Sequence, residues 1–370
     1  DLRGNLASVS TAAFSIAYQR RLDDTISSMS FSNGADNERT YDADGRLTET
    51  LYRRGASAPF SRAAYTLDSL GRRTSVERAD GYGDAFGYDA KDQVTAVQYQ
   101  MQTPANGGTP QYVASFAYDS MGNRTSASTG FDPAATYAAN LLNQYTGGSR
   151  FSVPPSYDAD GNMTSVDGIS LTWNAENRLV DIEPVLPADG DHRIHYAYDP
   201  NGRRVRKTVD VYNSGLWSEA SDTHYTYWEW NVIEEHRDLA GATDETRRLI
   251  WGEDLSGTFQ GVGGVGGLLV QEFGGVRWFY QYDGNGNVTE LTDNTGATVA
   301  TYRYTAFGDT WSQTGPAAQA NQYRFSTKPL DDETLAANSE AFSNGLYYYG
   351  YRYYDAVTGR WLNRDPIGEY

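Results

Sequence analysis

"YDADGNMTS", residues 157–165, is one of a set. "YDADGRLTE" stands at 41–49, "YDSMGNRTS" at 118–126 and "YDPNGRRVR" at 198–206. In this pattern an aspartate heads a turn and can accept backbone N–H bonds through its carboxylate, while a glycine three residues later is free to take positive φ. Asp158 with Gly161 therefore specifies a type I turn closing into a glycine bulge, a common link between two antiparallel strands. Asp42 with Gly45, Asp119 with Gly122, and Asp199 with Gly202 read the same way. Tyr157 ends the incoming strand, and Met163 and Val166 belong to the outgoing one. The recurring tyrosine supplies a large apolar ring whose hydroxyl can reach water or a partner.

Looser copies extend the series. Asp68 lies in "YTLDSLGRRTS" and Asp89 in "YDAKDQVTAV", which lacks the glycine; "TWNAENRLVDI" (172–182) and "YDGNGNVTELTD" (282–293) are further variants. From Asp42 through Asp68, Asp89, Asp119 and Asp158 to Asp199 the spacings are 26, 21, 30, 39 and 41 residues. Propeller blades need a near-constant period of about 40–45 residues. Hairpins of variable length suit a continuous sheet that coils, because each need pair only with its neighbours. The expected fold is all-β, a long spiralling antiparallel sheet.

Composition narrows the function. The chain of 370 residues carries 30 basic and 48 acidic side chains, a net charge of −18. Such a surface repels phosphate backbones and anionic lipid, so nucleic acid and membrane insertion are not expected. With no cysteine there is no disulfide or thiolate chemistry, and with four histidines, of which His192 and His195 lie in strand-like sequence, no metal and no cofactor are assigned. A calcium loop would need glycine at its sixth position, where the best candidate, starting at Asp283, has Val288. "QGVGGVGGLLV" (260–270) lacks the Gly-Lys-Ser/Thr ending of a phosphate loop and reads as closely packed backbone. "YTYWEWNVIEEH" (225–236) alternates like a single strand with an aromatic face, and "AANLLNQY" (138–145) reads as a short helical or looped excursion. The chain starts at Asp1 without methionine and is expected to be a piece of a larger protein.

These repeats resemble the YD repeats of Rhs proteins, which are shared with the C components of bacterial ABC toxins and with teneurins. "GLYYYGYRYYDAVTGRWLNRDPIGEY" (345–370) closely resembles the Rhs repeat-associated core motif. "LIWGEDLSGTFQGVGGVGGLLV" (249–270) and "YRYTAFGDT" (302–310) also look like recurring stretches of that family. The resemblance spans the whole chain. It implies a β-sheet wound into a hollow shell around a variable C-terminal segment, often a toxin, in a secreted or surface-exposed bacterial protein. Residues 1–240 would be the repeat strip, and 241–370 the core region continuous with it. The partners implied are the protein's own cargo segment and the remaining shell.

The same resemblance supplies a candidate site. The family's core domain is similar to an aspartyl autoprotease with two Asp-Pro-x-Gly elements, and the first maps onto Asp365, Pro366, Ile367 and Gly368, preceded by Arg364. Two carboxylates held close split their pKa values, one staying protonated while the other activates water. The second element would lie beyond Tyr370, so this stretch is not expected to cleave itself, and Glu369 stands where relatives often carry leucine. Read from the residues alone, "RDPIG" is another tight turn. Arg364 is expected either to pair with the Asp365 carboxylate or to cover the sheet. The rival function is an adhesive protein that binds a cell-surface glycan through its tyrosines and tryptophans.

Overall fold

The computed structural model describes residues 4–334, 341–342 and 344–366. Among these there is no α-helix. The only helical pieces are single 3-10 turns at Pro104–Asn106, Phe325–Thr327 and Asp332–Thr334. Twelve strands, β1 (Ser8–Ser10) through β12 (Ala135–Thr136), form one antiparallel meander. A two-strand link, β13 (Ala138–Ala139) and β14 (Tyr145–Gly147), leads to a second meander of fourteen strands, β15 (Ser156–Tyr157) through β28 (Thr310–Thr314). Four short strands, β29 (Leu330–Asp331) through β32 (Arg360–Trp361), make a third sheet. The second meander runs without a break across residues 240 and 241.

Strict neighbour-to-neighbour pairing puts every second turn on the same sheet edge, and the Tyr-Asp turns occupy that edge. Each has one geometry. At Asp42, Gly45 N–H donates to the Asp42 carbonyl (3.1 Å) and Asp42 N–H to the Arg46 carbonyl (3.0 Å). Asp42 Oδ1 accepts from the N–H groups of Asp44 and Arg46 at 3.0 and 2.9 Å. Where the glycine is missing, a short polar side chain takes positive φ: Asp92 (64°), Asn143 (59°) and Asn177 (57°).

The tyrosine hydroxyl joins one turn to the next. Tyr41, Tyr88, Tyr118, Tyr198 and Tyr304 donate to the carbonyls of Ile26, Arg73, Val94, Leu179 and Val288, at distances between 2.6 and 2.8 Å. Each acceptor is the first residue of the strand leaving the preceding turn on that edge. Trp173 does the same through its indole N–H, to Met163 at 2.7 Å. Phenylalanine would fill the space and leave a carbonyl without this partner.

Two sequence expectations are corrected here. Residues 138–145 are neither helix nor excursion but another turn of the series, with Asn140 Oδ1 accepting from Leu142 and Gln144 N–H; asparagine offers the same oxygen as aspartate. Residues 225–236 are not one strand but a hairpin. β21 (Leu216–Trp228) reverses through Glu229 and Trp230, and β22 (Asn231–Leu239) pairs back along it, Trp228 facing Asn231. Glu229 takes φ 51°, so no glycine marks the reversal.

The strip folds over on itself. Phe14 and Phe31 pack edge-on against Phe279 at 6.1 and 6.3 Å, within a core shared by Ile16, Met29 and Val270. Three tyrosine hydroxyls of the first sheet accept backbone N–H bonds from the second: Tyr52 from Tyr282 (3.2 Å), Tyr65 from Gly284 (2.7 Å) and Tyr99 from Ala306 (2.9 Å). These clamps close loops of over two hundred residues, and they turn a flat strip into a coil.

Candidate functional site

The C-terminal motif lies on the 158–161 turn. Met163 N–H donates to the Leu362 carbonyl at 2.9 Å, which hangs the end of the chain on β16 (Met163–Val166). Arg364 is exposed and crosses Gly161 so closely that a Cβ there would lie 2.5 Å from its Nε. Asp365 is exposed too, and the guanidinium of Arg352 stands 3.0 Å from its Oδ2. Arg352 in turn lies over the Trp361 ring, 4.1 Å from its centroid. Arg352 was not singled out from sequence; its place within the "GYRYY" of the core motif was the available signal.

Ile367, Gly368 and Glu369 lie outside the described residues. The cavity beside Asp365, about 290 Å³, is also lined by Asp167 and Asp355. Both carboxylates are already engaged. Asp355 accepts from Val357 N–H (3.0 Å) and the Thr358 hydroxyl (2.6 Å), Asp167 from the Ser152 hydroxyl (2.9 Å) and Val153 N–H (2.7 Å). The arrangement therefore offers one accessible carboxylate with a cation beside it, in a pocket whose other acids hold turns together.

The remaining landmarks serve the fold. The turns at Asp42, Asp119, Asp158 and Asp199 are spread along the sheet edge rather than gathered at one place. The glycine-rich loop wraps the chain's own carboxylate, since Asp254 Oδ2 accepts from Val262 and Gly264 N–H at 2.9 and 3.1 Å. Those N–H groups are the ones an anion would need. Lys328 Nζ donates to the Gly263 carbonyl at 2.5 Å, and burial there pushes its pKa down to about 8.

A buried ionic cluster fixes the third sheet to the second. Arg204, wholly buried, is ion-paired with Asp331 and stacked on Tyr348, Tyr225 and Tyr196 at 4.3, 5.0 and 5.2 Å. Lys207 Nζ reaches Asp331 Oδ1 at 3.0 Å and Glu333 at 2.9 Å. Burial alone would raise the Asp331 pKa; Arg204 and Lys207 overcome it and hold the carboxyl below its usual range. Asp309 of the "YRYTAFGDT" stretch has no such cation among the described residues. Burial pushes it up to about 6, against the hydrogen bond it accepts from Asn344 Nδ2 at 2.6 Å.

No family model matches the chain. In sequence it is 30% identical over 260 residues to the tRNA3(Ser)-specific nuclease WapA of Bacillus spizizenii, covering 69% of this chain and 10% of that protein. It is 28% identical over 296 residues to toxin subunit YenC1 of Yersinia entomophaga, covering 71% of this chain and 27% of the subunit. In structure it resembles the TcdB2-TccC3 crystal structure, with a TM-score of 0.74 at 19% identity over 95% of this chain and 18% of that one. The chain thus spans a tenth to about a quarter of the length of these curated relatives. Its coiled antiparallel sheet and its sequence match to WapA and YenC1 together place the chain among the Rhs-type proteins.

Proposed function

We propose that this stretch is part of the wall of an encapsulating β-shell, in a secreted Rhs-type toxin that carries its active segment after the shell. The observation that carries this reading is the long-range closure of the strip by Tyr52, Tyr65 and Tyr99, because a sheet clamped to itself between residues more than two hundred apart makes a wall with an inside. The relatives favour it too. WapA is named for cutting a tRNA and YenC1 as a toxin subunit, yet both share this stretch, which suits a common container better than a source of either activity. Among the described residues no helix is long and apolar enough to cross a membrane.

Asp365 belongs to the same reading as one member of a carboxylate pair that releases the passenger. Its partner is supplied by residues after Tyr370, and the Arg352 guanidinium, 3.0 Å from Oδ2, fixes where its carboxylate lies. The test uses the natural full-length protein. Limited proteolysis should leave the segment after the shell intact until denaturant opens the wall. Asp365→Asn should abolish release of that segment while the protein stays folded, since the amide keeps the turn and loses the proton-exchanging group. A passenger digested as fast as a free peptide would overturn encapsulation. Full release in the Asn variant would overturn the role of Asp365 alone. Glycan binding by the intact protein with an unprotected C-terminal segment would favour the adhesive alternative.

A further inference from the structure

Asp222 of β21 and Asp238 of β22 stand directly opposite one another, and two residues along the ladder His224 and His236 do the same. Like charges directly across an antiparallel pair repel. Asp222 is answered by Arg206, whose Nη2 lies 2.7 Å from Oδ2 and Nε 2.8 Å from Oδ1. Asp238 is paired with an imidazole instead, His236 Nε2 at 3.1 Å. Asp244, in the turn before β23 (Glu245–Trp251), brings a third carboxylate to the same corner. The ligand atoms of His236, Asp238 and Asp244 all lie within 4.8 Å of one another, and those of Asp222, His224 and Asp238 form a second such group.

This is more than an acidic patch. His236 Nδ1 is 3.0 Å from the Thr246 hydroxyl, a residue outside the group, and that contact turns Nε2 toward the carboxylates. An imidazole oriented from behind by a second residue is the usual support of a metal-binding histidine. Sequence spacing could not reveal it, because His224 and His236 are brought together by the ladder and not by a short motif.

We propose that this corner binds a divalent transition-metal ion through His236 Nε2 and the carboxylates of Asp238 and Asp244, with His224 adjoining Asp238 from the neighbouring strand. Mixed imidazole and carboxylate donors without thiolate suit zinc, cobalt or nickel, whereas calcium prefers an all-oxygen shell. The ligand atoms would have to draw together slightly to reach bonds of about 2.0–2.2 Å, which exposed side chains can do. An ion there neutralises the Asp238 carboxylate that faces Asp222 and ties β22 to the turn before β23.

The test is titration of the chelator-treated chain with Zn²⁺ and, separately, Ca²⁺, followed by calorimetry, with Co²⁺ absorption as a report on the ligand set. One Zn²⁺ per chain is expected, with cobalt d–d bands that disappear in His236→Ala and Asp238→Asn. Thr246→Ala should weaken binding by about tenfold. His195→Ala, which disrupts a separate contact with Asp181, should leave binding unchanged. Metal-free circular dichroism and melting establish that each variant folds. No saturable Zn²⁺ binding, binding untouched by His236→Ala, or a preference for Ca²⁺ would each overturn the proposal.

Discussion

Arg204 and Asp331 form an ion pair that is closed to water on all sides, although 127 residues separate them. Arg204 is on β20 (Arg204–Asn213) and Asp331 ends β29, so the pair joins the fourteen-stranded sheet to the C-terminal one. Replacing Asp331 by Asn leaves Arg204 without its counter-charge and Lys207 with Glu333 alone. A buried pair broken on one side costs about 3–5 kcal/mol. Urea unfolding of Asp331→Asn should show a loss of that size. A loss below about 1 kcal/mol would mean that water enters the cluster.

Gly161 and Gly45 occupy equivalent turn positions at φ 88° and 79°, but only Gly161 lies beneath Arg364. Valine at either position takes a conformation its branched side chain resists, at about 1–3 kcal/mol. At Gly161 the new Cβ also displaces the arginine, whereas at Gly45 it meets nothing within 4 Å. Gly161→Val should therefore be the more damaging change, and it should also speed proteolysis at the C-terminal motif. Equal losses in the two variants would show that Arg364 holds nothing down.

Tyr118→Phe isolates the hydroxyl that ties one turn to the next. The ring stays, and the Val94 carbonyl loses the donor at 2.7 Å. The expected cost is about 0.5–1.5 kcal/mol, read from the shift of the denaturation midpoint at constant slope. An unchanged midpoint would make the tyrosine preference a matter of packing alone.

Asp309 gives the protein a pH dependence of the opposite sign to most carboxylates. Its folded pKa, about 6, lies above the ordinary 3.8. Between those values the folded chain holds a proton that the unfolded chain releases, so this group's contribution is full below about pH 4 and lost as pH rises to about 6. Asp309→Asn keeps an acceptor for Asn344 and never ionises. The variant should gain about 3 kcal/mol over the natural chain at pH 7 and less than about 1 kcal/mol at pH 4. A difference independent of pH would refute the assignment.

The coiled all-β architecture is legible in the sequence because a local code writes it: aspartate and glycine at fixed separation, with tyrosine ahead of them. That code is silent wherever one atom can stand in for another. Asn140 offers the same oxygen as aspartate, and "AANLLNQY" passed for an excursion. Glu229 turns the chain without any glycine, so alternation ran straight through a hairpin. Long-range closure is silent for a different reason. Tyr52, Tyr65 and Tyr99 look like every other strand tyrosine, and only the coil decides that their hydroxyls meet the N–H groups of Tyr282, Gly284 and Ala306. Asp365 could be found from its motif. Its contact with Arg352 depends on how the last strands lie against one another.

Because every second turn falls on the same edge, the natural unit of change in this protein is a pair of strands. Insertion or deletion of one whole hairpin keeps all later strands in phase, with each tyrosine still facing the carbonyl of the repeat before it. A single added strand would send every later turn to the opposite rim and break each such contact in sequence. A lineage built this way can lengthen or shorten its coiled sheet in even steps, so the extent of the sheet becomes a quantity that recombination can adjust without redesigning the turns.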